Sequence, residues 1–391
     1  MDIKRQIEEL SKELIDLRRE FHQYPELGFQ EFRTQEVVEK YLVNCGLEVK
    51  RMTKTGIVAL LRGKRPGSTL LMRADMDALP ITEENDIYYK SRHEGIMHAC
   101  GHDGHMAMLL VAAKILSRYR DKINGNIKFV FQPNEEDAGA KYMVEDGVLE
   151  NPKVDAAVAI HLWSPIEFGK ISVSEGAVMG AMDIFRITIK GKGGHTAMPQ
   201  EAIDPVIVAA QIITGAQVIQ TRQINALTPT LITFGKVEAG TASNIIPESV
   251  KMEGTLRYLY KGGPDSVERP RERLEKVVAG ICKTFNTEYE IQFETSNFTV
   301  ENDSKLTSKI RKIAEDLVGN ENIVPYVTMA GEDFSEFTKD IPSTFYFVGV
   351  GNKEKETDYP HHHPRFNIDE DALAIGVEMH VRSALEYLSK K

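Results

Sequence analysis

The sequence predicts an α/β protein: a mostly parallel sheet with helices on both faces, carrying a smaller α+β domain inserted in the chain. Three observations lead there. Strand-like and helix-like runs take turns through the first 180 residues and again from about 294, the texture of a parallel sheet with crossover helices. Between them the runs follow the order strand, helix, strand, strand, helix, strand, the split βαβ pattern of a ferredoxin-like sandwich. Finally, 391 residues at 42% apolar and 27% charged make an ordinary folded chain, long enough at roughly 150 residues per domain for two or three domains.

The elements read as follows. Residues 1–21, MDIKRQIEELSKELIDLRREF, alternate charge with apolar residues at helical spacing. GIVALLRG (56–63) and STLLMRADMD (68–77) are β-rich, GHMAMLLVAAKILSRYR (104–120) is helical, and NIKFVFQPNEE (126–136), a second helical stretch and VDAAVAIHL (154–162) follow. DIFRITIKGKGG (183–194) alternates like a half-exposed, edge-like strand. It leads to helix 204–220, strands 228–240 and 249–259, helix 266–285 and strand 288–295. Helix 305–317, strand 343–351 and helix 370–388 close the chain. The domains are therefore expected at 1–180 and 294–391 for the larger one, with 181–293 inserted.

Net charge is −10, so the field of the whole chain repels phosphate backbones and anionic lipid. Nucleic acid and membrane surfaces are not the expected partners. The start lacks the uncharged apolar stretch of a secretory signal, and no apolar run reaches the ~18 residues of a spanning helix. Cys45, Cys100 and Cys282 are few, odd in number and far apart, which fits a reducing compartment. A cytoplasmic location is expected.

In open α/β sheets ligands gather beyond the carboxyl ends of the strands. Acids and imidazoles recur there. Asp75 and Asp77 end one strand; Glu135, Glu136 and Asp137 follow another; His161 ends a third; and MHACGHDGH (97–105) packs His98, Cys100, His102, Asp103 and His105 before a helix. His361, His362 and His363 lie in a loop after the last strand. Singly, each could be a cap or a solvated side chain. Together, carboxylates crowded at one edge repel each other unless a cation neutralises them, so a divalent metal site is expected. Cysteine, histidine and glutamate side by side suit zinc, and also manganese, cobalt or nickel. With Glu136 on the metal, Glu135 is free to act as general base for water whose pKa the ion lowers toward about 7. G-x-S-x-G, the P-loop pattern and H-E-x-x-H are all missing, and GKGGH (191–195) lacks the spacing of a phosphate loop.

A series of motifs then resembles the M20 metallopeptidase family, in its branch of N-acyl-amino-acid amidohydrolases with hippurate hydrolases, bacterial aminoacylases and plant auxin-conjugate hydrolases. The matching stretches are RREFHQYPELGFQE (18–31), RADMDALPI (73–81), MHACGHDGH (97–105), FQPNEED (131–137), HLW (161–163), KGGHTAMP (192–199), SNIIPE (243–248), GTLR (254–257), GEDFS (331–335) and HHHPRFNIDE (361–370). They span essentially the whole chain in the family's order. The resemblance implies Cys100, His102, Glu136, His161 and His362 as ligands of a divalent metal, two ions per subunit, with Glu135 as general base. His362 is chosen because it stands two residues before Pro364; His361 and His363 are its neighbours in the same triplet. Asp77 would orient the site, and Asp75 stands where other branches have His. The inserted domain would serve as lid and dimerisation domain, supplying His195 to the oxyanion across a homodimer interface and Asn244 and Arg257 to the substrate carboxylate. A guanidinium fork matches a carboxylate. The late turn reads Ala-Gly-Glu-Asp-Phe (330–334) where the family often has Gly-Ser-Glu-Asp-Phe.

The expected activity is metal-dependent hydrolysis of N-acyl-L-amino acids to a carboxylate and a free amino acid, with hinge motion near residues 180 and 293. The alternatives are a metallocarboxypeptidase acting on short peptides and a metal-containing binding protein without catalysis.

Overall fold

The structure, a computed structural model, describes residues 2–263 and 266–389. It divides into two compact units: Met1–Val178 with Val300–Val327 and Asp333–Lys391, and Met179–Thr299 with Thr328–Glu332. The first stretch holds α1 (Ile3–Gln23), α2 (Phe32–Asn44), β1 (Glu48–Met52), β2 (Gly56–Arg62), β3 (Arg65–Asp75), α3 (His102–Ser117), β4 (Asn124–Gln132), α4 (Ala140–Glu145), β5 (Ala156–Glu167), β6 (Ile171–Ser172) and β7 (Gly176–Met179). Next come β8 (Ala181–Lys190), β9 (Gly194–His195), α5 (Pro205–Val218), β10 (Thr230–Ala239), β11 (Ile245–Ile246), β12 (Ser249–Tyr258), α6 (Pro270–Thr284) and β13 (Glu288–Asn297). The chain closes with β14 (Val300–Asn302), α7 (Ser304–Val318), α8 (Ser335–Thr338), β15 (Ser343–Gly351) and α9 (Ala372–Tyr387).

The first unit is built on a seven-stranded sheet in the order β1-β2-β4-β3-β5-β15-β6. Its central strands β4, β3, β5 and β15 are parallel. β2 runs against β4, and β1 against β2, so five of the seven strands share one direction. On one face Leu70, Met72, Ala74, Phe129, Phe131, Val158, Ile160 and Val348 join a core with α1, α3, α7 and α9. α1 opens on Asp2, whose carboxylate accepts the Arg5 amide at 3.0 Å, and it buries Ile7, Leu10, Leu14, Leu17 and Phe21. That stripe is the amphipathic spacing its sequence carries. α3 is buried at every position except Lys114 and Ser117, as its nearly continuous apolar composition requires. On the opposite face Phe334 packs on Phe345 with ring centroids 5.7 Å apart.

One strand corrects the sequence reading. β5 does not end at His161 but continues to Glu167, because His161, Leu162 and Trp163 stay paired with Phe347, Val348 and Gly349 of β15. The imidazole therefore leaves from within the sheet rather than from a loop beyond it.

The second unit is a four-stranded antiparallel sheet in the order β10-β12-β8-β13. α5 and α6 bury Val208, Ile212, Leu274 and Val278 against Phe185, Ile187, Val250 and Leu256. Here the edge-like reading of residues 183–194 is corrected: β8 is an inner strand between β12 and β13. Its alternation reports one open face of the sheet, not an edge position. Gly194 and His195 pair with Ile246 and Ile245 in a two-residue ladder, and no α-helix opens until Pro205, so the geometry of a phosphate loop is not formed. Thr328–Glu332, which the sequence reading left with the larger domain, groups with this unit; Ala330 O accepts the Gly180 amide at 2.9 Å.

Candidate metal centre

All the acids and imidazoles read as a cluster at strand ends, together with the late histidines, belong to the first unit. Two glycines bring the Cys100–His102 segment into place. Gly101 caps α3 with φ +92°, a left-handed conformation that side chains disfavour. Gly104 sits so close to β5 that an added Cβ would lie 2.5 Å from Leu162 Cδ1. β4 ends at Gln132 and the chain turns through Pro133 and Asn134 (φ +55°) into a single 3-10 turn, Glu135–Asp137.

Carboxylates hold that turn by its backbone. Asp77, buried, accepts the Glu135 amide on Oδ1 at 2.9 Å and the Glu136 amide on Oδ2 at 3.0 Å. Glu31, also buried, accepts the Asn134 amide at 2.9 Å and the Thr55 hydroxyl at 2.5 Å. Burial pushes the Glu31 carboxyl up to about 7, against the Thr55 hydrogen bond and with help from the charge of Asp77.

The imidazoles fall into two classes by their second nitrogen. His102 Nδ1 donates to Asp77 O at 2.9 Å and His161 Nδ1 to Leu162 O at 2.8 Å, so each keeps an Nε2 lone pair. His102 Nε2 is buried without a hydrogen bond, and His161 Nε2 lies 3.6 Å from Cys100 Sγ. A carbonyl on one nitrogen and a free lone pair on the other is the arrangement of metal-binding histidines. His105 differs: its Nε2 accepts the Leu162 amide at 2.9 Å, and its Nδ1 donates to Asp75 Oδ1 at 2.7 Å. Arg73 donates to Asp75 Oδ2 at 2.6 Å, so both oxygens of Asp75 are engaged by this chain. His361 is likewise occupied, with Nε2 donating to Leu162 O at 3.1 Å and its ring stacked on Trp163 at 4.2 Å. His362 instead lies with Nε2 3.3 Å from Glu136 Oε1, held by φ +63° and by its amide on Ala99 O at 2.8 Å.

These groups call for positive charge. Burial alone would lower His102, but Asp75, then Asp77, reverse this and lift it to about 10; a divalent cation would replace that proton. His161 is held well below its usual value by burial, then by the neighbouring imidazoles, and so is neutral as a ligand must be. Donor atoms of Cys100, Glu136 and His362 lie within 4.8 Å of one another, as do those of Cys100, His161 and His361, of His102, Glu135 and Glu136, and of Asp75, His102 and His105. Glu136 Oε1 is a second buried atom without a hydrogen bond. Sulfur, imidazole and carboxylate together fit a divalent ion, and the sharing of Cys100 and Glu136 between groups fits two ions side by side.

His195, Asn244 and Arg257 belong to the second unit. His195 and Asn244 line a cavity of about 650 Å³ with Gly193, Gly194 and Thr241. His195 Nδ1 accepts the Ala197 amide at 3.0 Å, which leaves Nε2 as the donor of the neutral ring. Arg257 donates to Met329 O at 3.1 Å and, among the described residues, pairs with no carboxylate; burial lowers its pKa. His105 was legible as part of the cluster at the start of α3 but not as the residue that holds Asp75, and Glu31 and Arg73 had no expected role. His105 sits three residues after His102 on α3, on the same side of the helix, which was the available signal; Glu31 had none beyond its place in a motif.

Comparison with known proteins agrees with this picture. The profile of Peptidase family M20/M25/M40 matches residues 71–386. The chain belongs to that family. It is 44% identical to an N-acyl-L-amino acid amidohydrolase of Geobacillus stearothermophilus over 75% of this chain and 79% of that one. It is 36% identical to thermostable carboxypeptidase 1 of Saccharolobus solfataricus over 99% and 98% of the two chains. A dinuclear metal-binding peptidase of the M20 family from Bacillus subtilis superposes with a TM-score of 0.85 at 32% identity, covering 97% of this chain and 99% of that one. The M20 chain described here is thus a hydrolase with a divalent metal as cofactor.

Proposed function

We propose that this M20 protein hydrolyses N-acyl-L-amino acids, with Cys100, His102, Glu136, His161 and His362 as ligands of two divalent ions and Glu135 as general base. Zinc or manganese suits the donor set, and cobalt or nickel would be accommodated. One observation carries the reading: Asp77 accepts the amides of both Glu135 and Glu136, so the backbone of the two adjacent glutamates is held on one turn beside His102, Cys100 and His362. One of the pair serves the metal and the other is left for proton transfer.

When bound, the ions supply Lewis acidity and lower the pKa of water toward about 7. The chain's own groups do the rest. Glu135 takes the proton from the attacking water and later delivers it to the departing amino nitrogen. Asp77 keeps the Glu135 backbone still while that proton moves. Arg73 and His105 fix Asp75 beside His102. His195, through Nε2–H, donates to the oxyanion, and Asn244 with Arg257 holds the substrate carboxylate; a guanidinium that meets no carboxylate among the described residues supports this. The products are a carboxylate and a free amino acid.

The second unit is proposed as lid and homodimer surface. β10 is an edge strand and carries exposed Leu231 and Val237, and α5 carries exposed Val206 and Ile207; an open edge and exposed apolar side chains are what a second copy would cover. A cytoplasmic location is proposed from the few and widely spaced cysteines Cys45, Cys100 and Cys282; no described helix is long and apolar enough to cross a membrane.

The test is a panel of N-acetyl- and N-benzoyl-L-amino acids set against dipeptides, assayed before and after chelation, with elemental analysis of the protein. Faster turnover of the acyl amino acids, lost on chelation and restored by Zn²⁺ or Mn²⁺, is expected. Preference for dipeptides would make the chain a carboxypeptidase instead. Glu135→Gln should lower kcat by roughly a hundredfold or more, and unchanged activity would remove Glu135 as the base.

A further inference from the structure

Three consecutive amides at the end of β4 point at carboxylates. Glu135 and Glu136 donate to Asp77, and Asn134 donates to Glu31 Oε1 at 2.9 Å. Asp77 fixes the middle of the turn. Its entry is a separate matter, because Asn134 is left-handed at φ +55° and a rotation there would swing Glu135 as a whole.

Glu31 sits directly before α2 and is fully buried, and its second oxygen accepts the hydroxyl of Thr55, itself fully buried. The surroundings are shaped to the same end. Gly28 lies so close that a Cβ there would fall 1.8 Å from Asn134 Oδ1. Asn134 Nδ2 closes the turn on Asp137 O at 2.9 Å, and its carbonyl accepts the Gly139 amide at 2.7 Å. A motif more than 100 residues earlier, Pro25–Glu31, is thus joined to the turn by one buried carboxyl acceptor. Burying that carboxylate costs stability, and the buried charge of Asp77 nearby adds to the cost.

We propose that Glu31 is a positioning residue for Glu135: through the Asn134 amide it sets where the Glu135 carboxylate stands, without touching substrate or metal. This rests on Glu135 being the general base. A displacement of about 1 Å at a reacting group can cost ~10²-fold in rate, so the effect belongs in kcat rather than KM. Gln keeps an acceptor for the Asn134 amide and can donate to Thr55 Oγ; Ala offers neither.

The experiment uses full-length, metal-loaded protein and whichever of N-acetyl-L-cysteine and N-benzoylglycine is turned over faster. Glu31→Ala is expected to lower kcat ten- to a hundredfold with KM within threefold and metal content retained, and Glu31→Gln to stay within threefold of the parent. The deciding measurement is the double variant: added to Glu135→Gln, Glu31→Ala should cost no more than twofold, because a residue that acts through the base has nothing left to act on. Full additivity, an unchanged kcat in Glu31→Ala, or metal loss in proportion to activity loss would each overturn the proposal. Should Glu31→Ala fail to fold, Glu31→Asp takes its place, with a kcat loss of at least fivefold expected and parental kcat overturning the idea. If Glu135→Gln itself is fully active, the base reading fails; if Glu135→Gln is crippled while Glu31 variants are unaffected, only the positioning role fails.

Discussion

Both oxygens of Asp77 accept main-chain N–H groups, so this side chain acts as a two-pronged clamp on the Glu135–Glu136 turn. An asparagine of the same shape has one acceptor and would turn an N–H₂ toward one of the two amides. Hydrogen bonds to a charged acceptor contribute about 1.5–3 kcal/mol each. Asp77→Asn should therefore lower kcat by tenfold or more and lower Tm by several degrees, read by steady-state kinetics and thermal denaturation; parental kcat would show that the clamp has no catalytic consequence. A second residue governs acid stability. His380 is buried in α9 without a hydrogen bond at Nδ1, and burial, with His105 adding, pushes its pKa down to about 3. Between the unfolded value near 6.5 and 3 the unfolded chain binds a proton that the native state refuses. Its contribution is therefore complete above pH 6.5 and is lost as pH falls. By pH 4.5 that amounts to roughly 3 kcal/mol, so in urea titrations at pH 7.5 and 4.5, His380→Leu should lose about 2–3 kcal/mol less than the parent on acidification. Equal losses would mean that His380 takes up its proton without unfolding. At this scale the sequence made Cys100-x-His102 and Glu135-Glu136 legible, because each is a local spacing. It hid Glu31, whose partner Asn134 is 103 positions away, and it could not say which nitrogen of each histidine was free.

Elements explain why those local spacings become a site at all. β3, β4 and α3 were readable because their apolar runs are long and bounded by charged or turn residues. β1 and α2 went unread, since EVKRM has almost no apolar pattern and α2 buries only Thr34, Gln35, Val38 and Leu42. The true length of β5 was hidden because pairing with β15, rather than composition, carries it past His161. The junction before α3 is the most sharply constrained element boundary at the centre. Gly101 takes φ +92° between Cys100 and His102, and a side chain in the left-handed region costs roughly 1–2 kcal/mol. Open space is not the obstacle, as an added Cβ meets nothing nearer than 3.7 Å; the backbone conformation is. Gly101→Ala should lower Tm by a few degrees and reduce bound metal, since relaxing the strain would turn the Cys100 and His102 side chains relative to each other. Melting curves and elemental analysis check both, and an unchanged metal content would mean that the turn yields without moving its neighbours.

For the whole molecule, the division into two units makes metal removal informative beyond loss of activity. The alternation of strands and helices, and the split βαβ insert, were legible because each follows from the order of runs along the chain; the Thr328–Glu332 strip was not, because nothing local marks which unit it joins. All five proposed ligands lie in the first unit and none in the second. An ion that binds only the native first unit stabilises it by RT ln(1 + [M]/Kd), about 4 kcal/mol at a thousandfold excess over Kd, and domains of 150–250 residues shift by about 2–4 °C per kcal/mol. Scanning calorimetry of the metal-loaded and chelated protein should therefore show one transition falling by roughly 10 °C. A chain of two cores need not melt in one step, so the transition assigned to the second unit should stay in place, and its identity can be checked by whether the Gly101→Ala variant leaves it unmoved. If chelation moved both transitions equally, the ions would be holding more than the first unit, and the ligand set proposed from Cys100, His102, Glu136, His161 and His362 would be incomplete.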